Sequence, residues 1–420
     1  MRTIAASGLI ALTAMLTGAA STAVASSATA AQRPAAASSA STVKPAGPTK
    51  APPPANELFG VSCVSSKYCV AVGVNENAEI TVKGGGALIQ TWNGKTWKSV
   101  APMAPPGALS TELLSVSCKS ATACVAVGVS LDGSGNGVPL AETWNGRTWT
   151  PSAPPRPAGS VGGQLNGVSC AAAKSCVAVG DYRTAAGAAA LAESWNGSRW
   201  TLSKPPDASG FVVAGLNKVS CPSAAYCIAV GNADTNTGSF AIADSWNGKT
   251  WARTSVPAPA VGKEDADLTG VSCPSAKSCV AVGTGTTGRV GGLVSFAEFW
   301  NGKTWAAGKI SWPKGVSNNL LVGVSCASAK SCLAVGNLDI NLNDGGHPGR
   351  AGATSWNGKA WTAANVAAPG KGKASLFTEV SCLSATNCVA VGQLGPFNSD
   401  EGNGLAGFWN GKRVGLATTP

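Results

Sequence analysis

The sequence predicts an all-β protein, a seven-bladed β-propeller of four-stranded antiparallel blades with one disulfide inside each blade. Three observations lead there. A unit made of V-S-C, five residues, C-[VIL]-A-V-G, a variable stretch and W-N-G occurs seven times. The first cysteines of successive units stand 51 to 56 residues apart, which is room for four short strands. After residue 57 no stretch of useful length carries helical periodicity, and the composition, with 53 glycines and 12% charged residues, suits many strands joined by turns.

The repeats are preceded by two other segments. Met1-Arg2-Thr3 leads into an apolar stretch from Ile4 to Ala20, followed by small residues at Ala23-Val24-Ala25 and Ala28-Thr29-Ala30. A positive start, a short apolar middle and an A-x-A end make a secretory signal peptide, residues 1–25, with cleavage as late as 31. Residues 26–57 are mostly Ala, Ser, Pro and Thr, too poor in large apolar side chains to offset the entropy of ordering, and are expected to form a disordered linker. The propeller is expected over 58–420. No second apolar run reaches spanning length, so no membrane span is expected after signal removal.

The third unit shows the four strands most plainly, at Leu165–Cys170, Cys176–Gly180, Ala190–Trp195 and Arg199–Ser203. Asn196-Gly197 tolerates positive φ and permits a tight hairpin. One such sheet has two faces to bury, and radial stacking covers both while closing a ring. An open β-solenoid shares the period, but its strands are parallel.

The 14 cysteines fall as Cys63–Cys69, Cys118–Cys124, Cys170–Cys176, Cys221–Cys227, Cys273–Cys279, Cys326–Cys332 and Cys382–Cys388. An even set at one spacing in an exported chain reads as seven local disulfides, each joining the end of strand one to the start of strand two. No C-x2-C spacing exists and His347 is the single histidine, so no metal site of that kind is expected. Six units close with W-N-G-x-x-W, and the seventh has Trp409 followed by Val414. A residue at the same place in every unit serves the shared architecture, so these tryptophans are assigned to packing between blades. Trp312 lies outside the repeat positions and is a candidate ligand contact. Glu142, Glu193, Asp244 and Glu298 stand two before a W-N-G Trp, where other units have Gln90, Thr354 and Gly407. They are expected near the outside of the ring, meeting hairpin Lys or Arg and Trp edges rather than doing acid–base chemistry.

Strand alternation separates two faces of the disc. The turns joining strands one to two and three to four share one face. That face is basic, with Lys67, Lys119, Lys174, Lys277 and Lys330 in one set of turns and Lys95, Arg147, Arg199, Lys249, Lys303, Lys359 and Lys412 in the other. The opposite face carries long dissimilar loops, including Val129–Pro139, Asn232–Ser239, Thr284–Val294, Asn337–Gly352 and Gln393–Gly404. Specificity on repeat scaffolds resides in such loops. Two of them approach a calcium-loop pattern: Asp339-x-Asn341-x-Asn343-Asp344, and Asn232-x-Asp234-x-Asn236. Neither has Gly at the sixth place or a clear downstream acid. No cofactor is expected, with calcium as the alternative.

The C-V-A-V-G strand followed by W-N-G resembles the kelch units of galactose-oxidase-like propellers. The N-G-K-T-W hairpin resembles the Asp-box of sialidase-like propellers. The Ala/Gly-rich, Cys-paired units are similar to the propeller repeats of exported actinobacterial proteins. The resemblance covers residues 58 to 418 and implies the fold. It transfers no catalytic residue: the kelch double Gly is single here, the Asp-box Ser and Asp are missing, and the three tyrosines and one histidine supply neither a sialidase nor a copper site.

The expected function is therefore a secreted or cell-wall-associated, non-catalytic binding or scaffold propeller. Its expected partner is a glycan, a cell-wall polymer or an extracellular protein, held on the loop face near Asp234, Asp339, Asn341, Asn343, Asp344 and Trp312. Nucleic acid is not expected, and the chain is expected to be a monomer. The alternative is an extracellular carbohydrate-active hydrolase or lyase using loop-face carboxylates such as Asp181, Asp234, Asp339 or Asp400.

Overall fold

The computed structural model describes residues 56–75, 85–206, 211–259, 264–287, 292–340, 349–370, 373–396 and 402–420. The expected signal peptide and nearly all of the linker lie outside them. The described residues contain no α-helix. Blade 1 is β1 (Asn56–Ser65), β2 (Tyr68–Asn75), β3 (Ala87–Trp92) and β4 (Trp97–Val100). Blade 2 is β5 (Thr111–Ser120), β6 (Ala123–Leu131), β7 (Gly137–Trp144) and β8 (Trp149–Ser152). Blade 3 is β9 (Gly162–Ala172), β10 (Ser175–Thr184), β11 (Gly187–Trp195) and β12 (Trp200–Ser203). Blade 4 is β13 (Val213–Ser223), β14 (Tyr226–Thr235), β15 (Gly238–Trp246) and β16 (Trp251–Thr254). Blade 5 is β17 (Glu264–Ser275), β18 (Ser278–Thr286), β19 (Leu293–Trp300) and β20 (Trp305–Gly308). Blade 6 is β21 (Leu320–Ser328), β22 (Ser331–Leu338), β23 (Arg350–Trp356) and β24 (Trp361–Ala363). A short β25 (Asn365–Val366) precedes blade 7, which is β26 (Lys373–Ser384), β27 (Asn387–Pro396), β28 (Asn403–Trp409) and β29 (Arg413–Thr418). Within every blade the strands pair in chain order and antiparallel, and one parallel bridge, Ala188 to Val213, joins blades 3 and 4.

Apolar side chains from each pair of adjacent blades form a buried cluster, with a second, smaller one (Phe59, Val74 and Leu114) between blades 1 and 2. The last such cluster closes the ring, packing Leu58, Val61, Ala71 and Leu88 of blade 1 against Val389, Val391 and Ala406 of blade 7. Polar bonds cross the same seam: Thr378 Oγ1 donates to the Leu58 carbonyl at 2.6 Å, and Asn56 Nδ2 to that of Pro420 at 3.1 Å. Where blade 7 has Val414 for the second Trp, β25 pairs in parallel with β29 and covers its outer edge.

The repeated V-S-C acquires its meaning here. Strand one of each blade is innermost, so one of its edges has no neighbouring strand. Each disulfide bridges strands one and two with Cα atoms between 3.9 Å and 4.1 Å apart, and in five blades the two cysteines stand directly opposite each other, the narrow pair type whose N–H groups face away from the partner strand. The outward N–H of each first cysteine is taken by the Ser of the preceding blade's V-S-C. Cys118 donates to Ser62 Oγ at 3.0 Å, Cys170 to Ser117 at 3.0 Å and Cys221 to Ser169 at 2.9 Å. Cys273 continues to Ser220 at 2.9 Å, Cys326 to Ser272 at 3.0 Å and Cys382 to Ser325 at 2.9 Å. Cys63 donates to Ser381 at 3.0 Å, completing an unbroken belt of seven bonds.

Each first strand also carries a β-bulge four residues before its cysteine, at Phe59, Leu114, Asn166, Asn217, Thr269, Val322 and Thr378. The bulge presses a backbone carbonyl against the Gly of C-[VIL]-A-V-G on strand two. A Cβ on Gly231 would fall on the carbonyl oxygen of Gly215, and the equivalent glycines of the other blades are crowded in the same way. Farther out, Trp251 Nε1 donates to Ser203 Oγ at 3.1 Å and Trp305 Nε1 to Thr254 Oγ1 at 3.0 Å, each bond reaching the preceding blade.

Two expectations are corrected. Strands one to three extend farther toward the loop face than the sequence indicates, because polar and glycine-rich residues there keep full backbone pairing. Strand pairing continues to Leu131 opposite Gly137 and to Thr235 opposite Gly238. The segments expected as loops Val129–Pro139 and Asn232–Ser239 are therefore mainly hairpin. The four acids two before the W-N-G Trp stand beside the outermost strand and are buried, but of the expected hairpin partners Asp244 alone meets an Arg, while Glu193 and Glu298 have no hydrogen-bond partner.

Gly231→Ala should cost about 1–3 kcal/mol through overpacking, whereas Gly415→Ala, with no atom near the new methyl, should be close to neutral. Ser272→Ala, which leaves the Cys326 N–H unpaired, should cost about 1 kcal/mol. Denaturant unfolding of the three variants checks this order.

Candidate functional site

On the loop face, the inner ends of blades 3 to 5 carry a polar network built on bulge residues. Asn166 Nδ2 donates to Asp181 Oδ1 at 3.2 Å and to the Leu216 carbonyl of the next blade at 3.1 Å. Gln164 Nε2 donates to Asn166 Oδ1 at 2.9 Å. One blade on, Asn217 Nδ2 repeats the pattern, donating to Asp267 Oδ1 at 2.8 Å and to the Leu268 carbonyl at 3.0 Å. Asp234 accepts from Asn232 Nδ2 at 2.9 Å and from Ser239 Oγ. The Ser239 N–H in turn donates to Asp265 Oδ1 at 3.2 Å. Asp265 holds a left-handed φ of 50°, a conformation that Asp tolerates better than most residues.

Burial pushes the Asp267 carboxyl up to about 7, the neighbouring Asp234 charge adds to the rise, and Asn217 opposes it. Burial also raises Asp181, against the hydrogen bond from Asn166 and the charge of Arg183. Beside this network stands an apolar arc. Leu109, Val161 and Val212 occupy equivalent places in blades 2, 3 and 4. Their N–H groups donate to the carbonyls of Leu131 (2.8 Å), Arg183 (2.9 Å) and Asp234 (2.8 Å). Their side chains remain exposed, at 38%, 59% and 49%.

Deeper along the axis the channel is crossed. The residue after the bulge is Gly60, Ser115, Gly167, Gly270 or Gly323 in five blades, but Lys218 in blade 4 and Glu379 in blade 7. Lys218 Nζ and Glu379 Oε2 meet at 2.9 Å, joining blades three positions apart. Sequence reasoning missed this pair. The signal was present: aligning the units on V-S-C shows a lone Lys and a lone Glu where the others have Gly or Ser.

The residues singled out from sequence are not gathered into one site. Asp234 belongs to the blade 4 hairpin, and its calcium-like run folds as paired strand. Asp339 lies in blade 6 with φ 56°, accepting from the Ser317 N–H at 3.1 Å and pairing with Arg350 at 2.8 Å. Trp312 is half-buried against the cluster between blades 5 and 6 and donates to Ser295 Oγ at 2.9 Å. Asn341, Asn343, Asp344 and Asp400 lie outside the described residues. Among the described residues no group of three or more His, Cys, Asp or Glu is placed to hold a metal ion.

The buried acids of strand three form a separate set. Asp244 pairs with Arg253 of its own blade at 2.5 Å; burial raises its pKa and the Arg253 contacts oppose that. Glu142 accepts a backbone bond from Met103, yet burial lifts it to about 7. Glu193 and Glu298 have no hydrogen-bond partner on either carboxyl oxygen, and burial lifts them to about 8 and about 7. These three carboxyls fold more favourably in the protonated form.

No family model matches the chain, and no curated protein matches it. Solved structures do. A GH74 xyloglucanase from Xanthomonas campestris is similar over 86% of this chain and 54% of its own, with 13% identity and a TM-score of 0.55. The chain thus spans about half the length of that protein. A polysaccharide lyase of family PL25, an ulvan lyase, is similar over 83% of this chain and 91% of its own, with 9% identity and a TM-score of 0.51. At these identities the likeness establishes a shared fold. Among the described residues no helix is long and apolar enough to cross a membrane.

A carboxyl whose folded pKa lies above its unfolded value contributes stability below the unfolded pKa and loses it as pH rises toward the folded value. Thermal midpoints should therefore fall from pH 5 to pH 8 through Glu142, Glu193, Glu298 and Asp267. Glu193→Gln should flatten part of that fall and raise the midpoint at pH 8 by about 1–3 °C, read by calorimetry across the pH series.

Proposed function

We propose that the chain is an extracellular, non-catalytic recognition propeller that binds a glycan or a protein segment at the loop-face mouth of blades 2 to 5. The observation that carries this is the pairing, at one rim, of an exposed apolar arc (Leu109, Val161, Val212) with a hydrogen-bonding network of carboxylates and amides. Apolar surface next to a few fixed polar groups is what small-molecule and peptide sites share. Seven disulfides, with no free cysteine among the described residues, support an oxidising compartment. The ion pair across the axis favours a ligand that rests in the mouth over one threading the channel.

A hydrolytic reading has one observation in its favour: Asp267, raised toward neutrality, stands electrostatically coupled to Asp234, and unequal carboxyl pairs do acid–base work. Asp267 is buried, however, and one of its oxygens is held by Asn217, which withdraws it from a substrate.

The purified protein should retain ligands from a glycan array or a pull-down of extracellular proteins, and Val161→Asp with Val212→Asp should reduce that retention at least about tenfold, since like exposed contacts contribute 1–2 kcal/mol together. Retention by neither screen counts against recognition. Turnover of a bound glycan that Asp234→Asn abolishes, without loss of binding, would establish the hydrolase instead.

A further inference from the structure

We propose that the opposite face, formed by the turns, is a docking surface for an extended anionic polysaccharide. The charge distribution carries the inference. The two turns of every blade, counted from V-S-C to the second cysteine and from the W-N-G Trp to the closing residue of its hairpin, contain thirteen Lys and Arg and no Asp or Glu. The chain's 20 acidic residues all lie elsewhere. A net charge of +11 for the whole sequence thus conceals one face of a single sign. Such a field gathers polyanions.

The cations are presented by built features. In blades 1, 3, 5 and 6 the stem of the first-turn lysine lies across the glycine of W-N-G. A Cβ on Gly94 would stand 3.2 Å from Lys67 Cγ, one on Gly302 3.1 Å from Lys277 Cγ, and one on Gly358 3.0 Å from Lys330 Cγ. These glycines also hold left-handed φ of 90–95°. The contact brings Lys67 beside Lys95, Lys277 beside Lys303 and Lys330 beside Lys359, all exposed. Packing the stems leaves the ammonium groups in water. Between the two turns of a blade sits the W-N-G tryptophan, half-buried at Trp92, Trp144, Trp195, Trp246 and Trp356. In blade 1 its Nε1 is tied to the Ser66 carbonyl at 3.1 Å. A sugar ring can lie on such an indole while its acid group meets a lysine.

Other polyanions fit less well. Lysine predominates over arginine, giving diffuse point charges rather than bidentate forks for bases or phosphates. An anionic membrane would be met by inserted apolar side chains, and of the exposed large apolar residues only Leu383 lies in these turns. The site is on the face opposite the loop-face mouth, so each proposal can fail alone.

The test is affinity electrophoresis of the purified protein in gels containing polygalacturonate or neutral dextran, with a competition by duplex DNA. Polygalacturonate should retard the protein, dextran should not, and affinity should fall about tenfold or more between 50 and 200 mM salt. Lys67→Glu, Lys95→Glu, Lys277→Glu and Lys303→Glu together should weaken binding at least tenfold, while Val161→Asp with Val212→Asp should leave it unchanged. If the reversal variant does not fold, the same four lysines changed to Gln should still weaken it. No retardation by polygalacturonate, retardation indifferent to the lysines, or preferential binding of DNA would each overturn the proposal.

Discussion

The first strand of every blade is a sheet edge turned toward the axis, and the ring depends on how that edge is satisfied. Its outward N–H groups face neither a partner strand nor bulk solvent. The belt of Ser hydroxyls answers this, each blade's serine accepting from the next blade's cysteine. An edge of this kind left open would be a template for foreign strands. Because the donor sits at the disulfide, the same V-S-C triplet fixes the turn covalently and locks the neighbouring blade. Bulge residues add a second tier where Asn or Thr is present, as with Asn166, Asn217, Thr269 and Thr378. Where Phe59, Leu114 and Val322 stand, that tier is apolar.

Seven nearly equal interfaces leave the departures from equality informative. Lys218 and Glu379 break the small-residue ring at the axis, and they break it as a matched pair of charges from opposite blades. Val414 in place of Trp does not open the seventh blade, since it is buried under β25 and the cluster shared with blade 6. Glu193 and Glu298 are buried with no hydrogen-bond partner on either carboxyl oxygen, and they make the stability of the ring depend on pH in the opposite sense to a salt-bridged carboxylate.

Much of this architecture is legible in the sequence because its determinants are local. Cysteines six apart, an Asn-Gly hairpin and a unit of about fifty residues specify turn, disulfide and blade without knowledge of neighbours. What was not legible depends on contacts between units. The serine beside each cysteine is visible, but its acceptor role exists only across an interface. Glu142 and Asp244 can be placed on strand three from the sequence, but the completeness of their burial cannot. The strands run past their expected ends because Gly, Ser and Thr pair in a hairpin as well as they form a loop. Of the residues expected at the ligand site, Asp234 lies in the loop-face network, whereas Asp339 and Trp312 are engaged in separate contacts in other blades.

The two faces of the disc differ in chemistry for a topological reason. Tight turns repeat, so their lysines repeat; the hairpins of the other face vary, so its apolar and acidic residues gather only where particular blades supply them. Both faces rest on a closed ring, and the seam between blades 7 and 1 is where closure is tested. Residue-resolved amide hydrogen exchange at the seven first cysteines measures it directly. Protection of the Cys63 N–H equal to that of Cys221 and Cys273 is the expected result. Exchange at Cys63 as fast as at an open strand edge, with the others protected, would contradict a ring closed by the serine belt.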